Sequence, residues 1–256
     1  MENLRLAVRV GWPPGPAGEW GWSFTYDGFG NMLSTVVTKG AAPSFYLYPD
    51  PATNRLGSSY QWDANGNLTA RTGVPTLTLS YDVENRMVEA VHSLNGRERY
   101  VYDPANLRVW KQEPSRTLVY FYGIEGNLLA TYGDQSNTDY NVYFGGKLIW
   151  AEASPGLAAG PVGTDRLGSV VWRNGTPHSY LPYGYVQQLA ATGQDRTKFA
   201  TYYRDETTSF DYARNRYYNH RPGRRHINHY FLLSEDTCAG VRGQYQVIRE
   251  RCSCWP

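Results

Sequence analysis

Short runs in which apolar and polar residues alternate are separated along this chain by polar turns. The clearest example reads Arg99-Tyr100-Val101-Tyr102, then Asp103-Pro104-Ala105-Asn106, then Leu107-Arg108-Val109-Trp110. Alternation with a period of two indicates β-strands, and turn residues between two such runs indicate a hairpin. The pattern therefore predicts consecutive antiparallel hairpins.

One turn unit recurs along the first half of the chain. An aromatic residue followed by aspartate opens each copy, in the pairs Tyr26-Asp27, Trp62-Asp63, Tyr81-Asp82 and Tyr102-Asp103. A variant copy begins at Tyr122, and from the second copy onward the steps are 19, 21 and 20 residues. A repeat of this size predicts stacked units that bury a core only together.

The position of each aspartate favours a structural role. Asp at the first position of a turn can accept hydrogen bonds from backbone N–H groups two residues on. One catalytic site does not need four copies, so we interpret the four aromatic–aspartate pairs as turn-capping residues. We expect the aromatic ring to lie across the neighbouring hairpin.

Composition supports strands and turns over helices. The chain has 22 Tyr, 8 Trp and 8 Phe, together with 26 Gly and 15 Pro, and these residue types favour strands and turns. A net charge of +2 without a Lys/Arg run argues against a nucleic-acid partner. The apolar runs are too short to span a membrane, and the N-terminus lacks the apolar region of a signal peptide. We predict an all-β chain without a cofactor or metal.

The repeats resemble YD repeats, and a later part of the chain resembles the RHS repeat-associated core. The motif residues that carry the second resemblance are Asp165, Leu167, Gly168, Ser169, Tyr183, Gly184, Tyr203, Asp205, Arg216, Tyr217 and Tyr218. Together the two resemblances cover about residues 24–219.

The resemblance implies a domain organisation and a function. It implies a YD-repeat region at 24–150 and a repeat-associated core at 151–219, after an irregular N-terminal connector at 1–23. In this family the hairpins form a curved or spiralling shell around a C-terminal toxin, in secreted or cell-surface bacterial proteins. It therefore implies a non-enzymatic shell or scaffold segment whose partner is a C-terminal toxin cargo.

The chain departs from the family pattern after Asn219. The family's aspartyl self-cleavage motif contains Gly-Arg-Phe and a later Asp-Pro, whereas residues 223–230 here read GRRHINHY. The remaining residues also hold all three Cys, three of the five His, and six Arg without Lys. We interpret residues 220–256 as a non-homologous tail, frameshifted or disordered, and the chain as a truncated copy.

Three alternatives remain open at this point. The aromatic rows also suit a module that binds carbohydrate or cell-surface glycans, because rings stack on sugars. The chain could instead be the remnant of a self-cleaving core. Asp205, Glu206 and Asp211 form the densest acidic cluster, which could be a dyad of carboxylates that share a proton or a polar turn. We favour the turn, and predict no catalytic residue.

Overall fold

The structure is a computed structural model that describes residues 3–6, 21–40, 44–134, 138–153, 157–188, 196–214 and 216–219. Those residues form strands, turns and two single-turn 3-10 helices, η1 (Pro182–Gly184) and η2 (Phe199–Thr201). Across those ranges there is no α-helix. The predicted all-β fold class is therefore confirmed. The predicted tail at 220–256, with its cysteines and histidines, lies outside the described residues.

The strands are numbered in chain order. They are β1 (Asn3–Leu6), β2 (Gly21–Tyr26), β3 (Met32–Lys39), β4 (Phe45–Tyr46), β5 (Tyr60–Trp62), β6 (Leu68–Arg71), β7 (Leu77–Tyr81), β8 (Met87–His92), β9 (Gly96–Tyr102), β10 (Arg108–Gln112), β11 (Thr117–Tyr122), β12 (Leu128–Gly133), β13 (Thr138–Phe144), β14 (Lys147–Ala153), β15 (Leu157–Thr164), β16 (Val170–Arg173), β17 (Thr176–Pro177), β18 (Ser179–Tyr180), β19 (Val186–Gln188), β20 (Tyr203–Arg204), β21 (Asp211–Tyr212) and β22 (Tyr217–Tyr218).

Strands β5 to β17 form one antiparallel sheet of 13 strands in which every strand pairs with its neighbours in sequence. This order follows from the hairpins, because a short turn leaves the next strand no other place to pair. The sheet is open, with β5 and β17 at its two edges. Strands β1 to β4 form a separate four-stranded sheet, β18 pairs with β19, and β20 to β22 form a small three-stranded sheet.

Two predicted boundaries fall inside strands. Asn3–Leu6 pairs with Gly21–Tyr26, so these parts of the predicted connector at 1–23 are strands. The physical reason is that the first Tyr-Asp turn needs a full incoming strand, which is β2. Strand β1 then pairs with β2. Strand β14 crosses the boundary at residue 150, and β15 to β17 continue the same sheet. The predicted division between 24–150 and 151–219 is therefore not a division between sheets.

One face of the 13-stranded sheet is covered by residues 203–214 and 216–219, which we call the C-terminal segment. We call this face the inner face. Its core contains Leu68, Leu77, Leu79, Met87, Ala90, Tyr100, Leu118 and Tyr120 from the sheet and Tyr203, Phe210, Tyr212 and Tyr217 from the C-terminal segment. A second core lies on the four-stranded sheet and consists of Trp22, Phe24, Met32, Phe45, Leu47, Leu56 and Leu181.

No helix in the part of the chain that the structure describes is long and apolar enough to cross a membrane.

Candidate functional site

The aspartate that opens each turn is bonded to the backbone of its own turn. Oδ1 of Asp63 accepts hydrogen bonds from the backbone N–H groups of Asn65 (3.0 Å) and Asn67 (2.8 Å). Equivalent bonds to the second or fourth following residue are made by Asp27, Asp82, Asp103 and Asp165. Because each carboxylate serves its own turn, these aspartates cap turns and do not converge on one site.

A left-handed residue then returns the chain in each turn. Gly66 has a φ of 92°, and Asn85 and Asn106 have φ values of 62° and 64°. Gly and Asn tolerate this region at little cost. The backbone N–H of each donates to the carbonyl of the turn aspartate, at 3.2 Å for Gly66. One extra residue in the outgoing strand follows as a β-bulge.

From the third copy onward, the tyrosine of each unit bonds to the hairpin before it. The hydroxyl of Tyr81 donates to the carbonyl oxygen of Leu68 at 3.0 Å, and that of Tyr102 donates to Met87 at 2.7 Å. In the variant copy, Tyr122 donates to Arg108 at 2.9 Å. Each acceptor lies six residues after the preceding aromatic. The repeated tyrosine therefore fastens one hairpin to the next.

The first two copies use different partners. Indole Nε1–H of Trp62 donates to the carbonyl of Leu56 at 2.9 Å. The hydroxyl of Tyr26 lies 2.7 Å from the hydroxyl of Tyr183. Tyr26 thus connects the four-stranded sheet to η1. Burial raises the pKa of Tyr81 and of Tyr102, so both hydroxyls stay protonated donors.

Side-chain amides join adjacent turns along the rim of the sheet. Nδ2 of Asn65 and Nδ2 of Asn67 both donate to Oδ1 of Asn85 at 2.9 Å. The next step uses a guanidinium, because Arg86 donates to Oδ1 of Asn106 at 3.1 Å. The turns of the second, third and fourth copies are therefore aligned in a row.

The fourth copy places a charge where the other copies place an apolar side chain. Six residues after the aromatic stand Met32, Leu68, Met87, Arg108 and Leu128. Arg108 is completely buried, and so is Lys111. The bulge between Arg108 and Trp110 puts both cations on the inner face. Two buried cations require partners, since an unpaired buried charge is very unfavourable.

Arg108 finds its partner in the C-terminal segment. Its Nη1 lies 2.7 Å from Oδ2 of Asp205, and both side chains are fully buried. Five tyrosine rings surround the guanidinium, with Cζ at 4.3 to 5.9 Å from the centroids of Tyr212, Tyr120, Tyr100, Tyr203 and Tyr217. These distances are within the range of cation–π contacts. Burial alone would lower the pKa of Arg108, but Asp205 and Tyr120 hold it well above its ordinary value.

Lys111 is bound by three carboxylates. Its Nζ lies 2.7 Å from Oε1 of Glu98, 2.8 Å from Oε1 of Glu113 and 2.8 Å from Oδ1 of Asp205. Burial alone would lower the pKa of Lys111, but these three carboxylates, led by Asp205, raise it above its ordinary value. Asp205 therefore bridges two cations of the sheet and fixes the C-terminal segment to β10.

Two further arginines complete this buried network. Glu113 Oε2 accepts from Arg116 at 2.6 Å, and Glu113 Oε1 lies 3.7 Å from Arg196. Burial opposes ionisation of Glu113, but Lys111 and Arg196 lower its pKa to about 2. We call the whole set the ion network; its members are Glu98, Arg108, Lys111, Glu113, Arg116, Arg196 and Asp205.

The acidic cluster at 205–211 is not a dyad. Asp205 is occupied by the two cations of β10, and Asp211 forms a two-pronged pair with Arg204 at 2.7 and 3.0 Å. Each carboxylate has its own cation, so the pair has no reason to share a proton. The alternative of a polar turn is correct for residues 206–208, which form a turn, but wrong for Asp205 and Asp211, which are completely buried.

The first core motif forms another turn of the repeat type. Ser169 N–H donates to Oδ1 of Asp165 at 2.7 Å, Gly168 has a φ of 88°, and Leu167 is half-buried between them. Oγ of Ser169 accepts from the backbone N–H of Ala200 at 3.1 Å. This turn therefore anchors η2.

The second core motif connects η1 to the C-terminal segment. The hydroxyl of Tyr218 donates to the carbonyl of Tyr183 at 2.7 Å. A Cβ added at Gly184 would lie 2.5 Å from Cγ of Phe199, so the close approach requires glycine. Arg216 lies directly before β22. The two core motifs therefore both contact η2, through Ser169 and Gly184.

Sequence reasoning missed the sheet half of the ion network. Asp205 was selected as a motif residue, but Glu98, Arg108 and Lys111 were not. The sequence did carry one signal: Arg108, six residues after Tyr102, is charged where the other copies have methionine or leucine. Where the chain is described, no three His, Cys, Asp or Glu side chains are grouped as a metal site would require.

Comparison with known proteins shows what the chain is similar to. No family model matches the chain. The chain is 27% identical over 228 residues to the tRNA3(Ser)-specific nuclease WapA of Bacillus spizizenii, and equally to the tRNA nuclease WapA of Bacillus subtilis. WapA is an RHS/YD-repeat protein. This chain is similar to an RHS/YD-repeat protein, and we call it the YD-repeat segment. The match covers 78% of the segment but 9% of either relative, so the segment spans about a tenth of their length.

Solved structures share the fold of the YD-repeat segment. A crystal structure of TcdB2-TccC3-Cdc42 matches 90% of the segment and 13% of that chain, with a TM-score of 0.66 and 17% identity. A structure of the Photorhabdus luminescens Tc holotoxin pore matches 90% of the segment and 12% of that chain, with a TM-score of 0.64 and 18% identity.

Proposed function

We propose that this YD-repeat segment is a structural wall whose inner face is held to the C-terminal segment by the ion network. The observation that carries the proposal is the burial of Asp205 against Arg108 and Lys111, which fixes the C-terminal segment on the sheet. The repeated caps and tyrosine bonds support it, since they serve to align hairpins. The similarity to WapA supports a place in a larger toxin protein.

The proposal extends to the parent protein and its cargo. A sheet with one face covered by its own C-terminal segment suits a container whose chain continues toward an enclosed toxin. We propose a secreted or cell-surface bacterial parent and a non-enzymatic role for the segment itself. The relatives are nucleases by name, and we assign that kind of activity to a region outside the segment.

One set of assays on the full chain tests this proposal. Limited digestion with a non-specific protease should leave residues 60–134 and 196–219 as a resistant unit, because the ion network joins them. The same preparation should not cleave bulk tRNA. Cleavage of tRNA that is lost in Asp205→Asn but retained in Glu206→Gln would overturn the proposal. Early proteolytic release of 196–219 would also overturn it.

A further inference from the structure

The 13-stranded sheet has an outer face, opposite the inner face, and part of it is apolar. Cross-strand partners lie on the same face of a sheet. Val101 pairs with Trp110, Trp110 pairs with Val119, and Val119 pairs with Tyr132. Val101 is 51% exposed and Tyr132 is 53% exposed. The four side chains form one apolar row across β9 to β12.

A second set of apolar side chains continues this surface. Phe121 pairs with Ala130, which pairs with Tyr140. Further along β13, Val142 pairs with Trp150 of β14. Phe121 and Tyr140 are about half exposed. We call the combined surface the aromatic face; its members are Val101, Trp110, Val119, Phe121, Tyr132, Tyr140, Val142, Trp150 and Trp172.

The adjacent part of the outer face is charged and internally balanced. Glu89 pairs with Arg99 across β8 and β9. Oε2 of Glu89 lies 3.2 Å from Arg97 and 3.0 Å from Arg99. The apolar character is therefore concentrated on β9 to β16, where Glu152, the cross-strand partner of Tyr140, is a charged exception, and it is not a general property of the outer face. At this border both arginines, Arg97 and Arg99, already pair with Glu89, so they offer little to an anionic partner.

The exposed area of the aromatic face lies at the upper end of the range for a monomer. An aromatic side chain presents about 150–250 Å² when fully accessible, so the aromatic face exposes on the order of 600 Å². The largest apolar patch of a monomer is typically about 300–600 Å². A stable interface buries about 800 Å² from each partner. With a polar rim added, the aromatic face reaches the size of a weak dimer interface.

We propose that the aromatic face is the interface for a second copy of this chain, packed sheet on sheet about a two-fold axis. A two-fold interface requires a patch that is complementary to itself. Rows of rings and valines satisfy this, because two sheets interdigitate such side chains about 10 Å apart. The Glu89, Arg97 and Arg99 border then forms the rim. This proposal does not depend on the wall function.

Sedimentation velocity of the full chain tests the proposal. Between about 1 and about 100 μM, the range suited to a small interface, wild type should pass from monomer to dimer. Phe121→Lys and Tyr140→Lys should weaken association at least about tenfold, since each buries an unpaired cation at the interface. Val83→Lys is the matched control. Val83 is 98% exposed in the turn after Asp82, away from the aromatic face, so the control should associate like wild type.

Hydroxyl-radical footprinting of the wild-type chain gives a second measurement without any variant. Oxidation of Tyr132 and Tyr140 should rise on dilution, while oxidation of Tyr48, which is 81% exposed, should stay constant. A monomer throughout the concentration range, association beyond the dimer, or lysine variants that dimerise as tightly as wild type would overturn the proposal. Concentration-independent oxidation of Tyr140 would also overturn it.

Discussion

Replacing Asp205 by asparagine should strongly destabilise the folded chain. The substitution preserves shape but removes the charge that lies 2.7 Å from Arg108 and 2.8 Å from Lys111. Both cations stay fully buried with one carboxylate fewer. Breaking a buried pair from one side lowers stability by about 3–5 kcal/mol. Most domains have only about 5–15 kcal/mol in total, so Asp205→Asn should remove a large fraction.

The assay is urea unfolding of the full chain, with tryptophan fluorescence as the signal. Glu206→Gln is the matched control, because it makes the same chemical change one residue away. Glu206 pairs with Arg196, but its side chain is 59% exposed, so the control should lose about 0–1 kcal/mol. Equal losses for the two variants would refute the reasoning, since Asp205 is buried between two cations whereas Glu206 is exposed and pairs with one.

A double-mutant cycle then assigns the loss to the network. Lys111→Met removes a cation, and it therefore restores the charge balance of the ion network that Asp205→Asn disturbs. The double variant should be more stable than the sum of the two single losses by about 1–3 kcal/mol, as expected for residues in direct contact. Additive losses would show that Asp205 acts without Lys111.

Three further predictions concern pH, the tyrosine bonds and the turns. The pKa of Glu113 is lowered to about 2 in the folded chain, so its stabilisation is present above about pH 4.5 and is lost as the pH falls toward 2. This stabilisation amounts to about 3 kcal/mol. The urea midpoints of wild type and Glu113→Gln should therefore converge at low pH. A difference between the two midpoints that stays constant with pH would contradict this. Tyr102→Phe loses the hydroxyl bonds to Met87 and Tyr217 and should cost about 1–2 kcal/mol, whereas Tyr46→Phe, at an exposed site, should cost nothing measurable. Gly30 has a φ of 86° with open space around it, and Gly28 has open space without that φ. Gly30→Ala should therefore lose about 1–2 kcal/mol and Gly28→Ala should lose none; equal midpoints would show that φ is not the constraint.

The hairpins could be predicted from the sequence because their chemistry is local. Asp63, Gly66 and Tyr81 act within their own turn or on the hairpin next to it. A repeated motif therefore carries almost all the information needed for the order of the strands in the large sheet. The N-terminal strand β1 was missed because its partner, Gly21–Tyr26, lies beyond a proline-rich stretch that obscures the pattern.

The ion network could not be predicted in the same way because its contacts are distant in sequence. Asp205 is 94 residues from Lys111 and 97 from Arg108. Nothing in the local pattern near Asp205 indicates burial, and a polar turn follows it directly. Arg108 did carry a signal, since the other copies have methionine or leucine at its position. A charge at a repeated core position indicates that another part of the chain must supply the opposite charge.

Hydrogen exchange followed by mass spectrometry tests most directly whether the C-terminal segment is fixed to the inner face. The account predicts that peptides from 96–112 and from 203–219 exchange with the same opening free energy in wild type, and that both lose protection together in Asp205→Asn. Rapid exchange of 203–219 beside a protected 96–112 in wild type would contradict it.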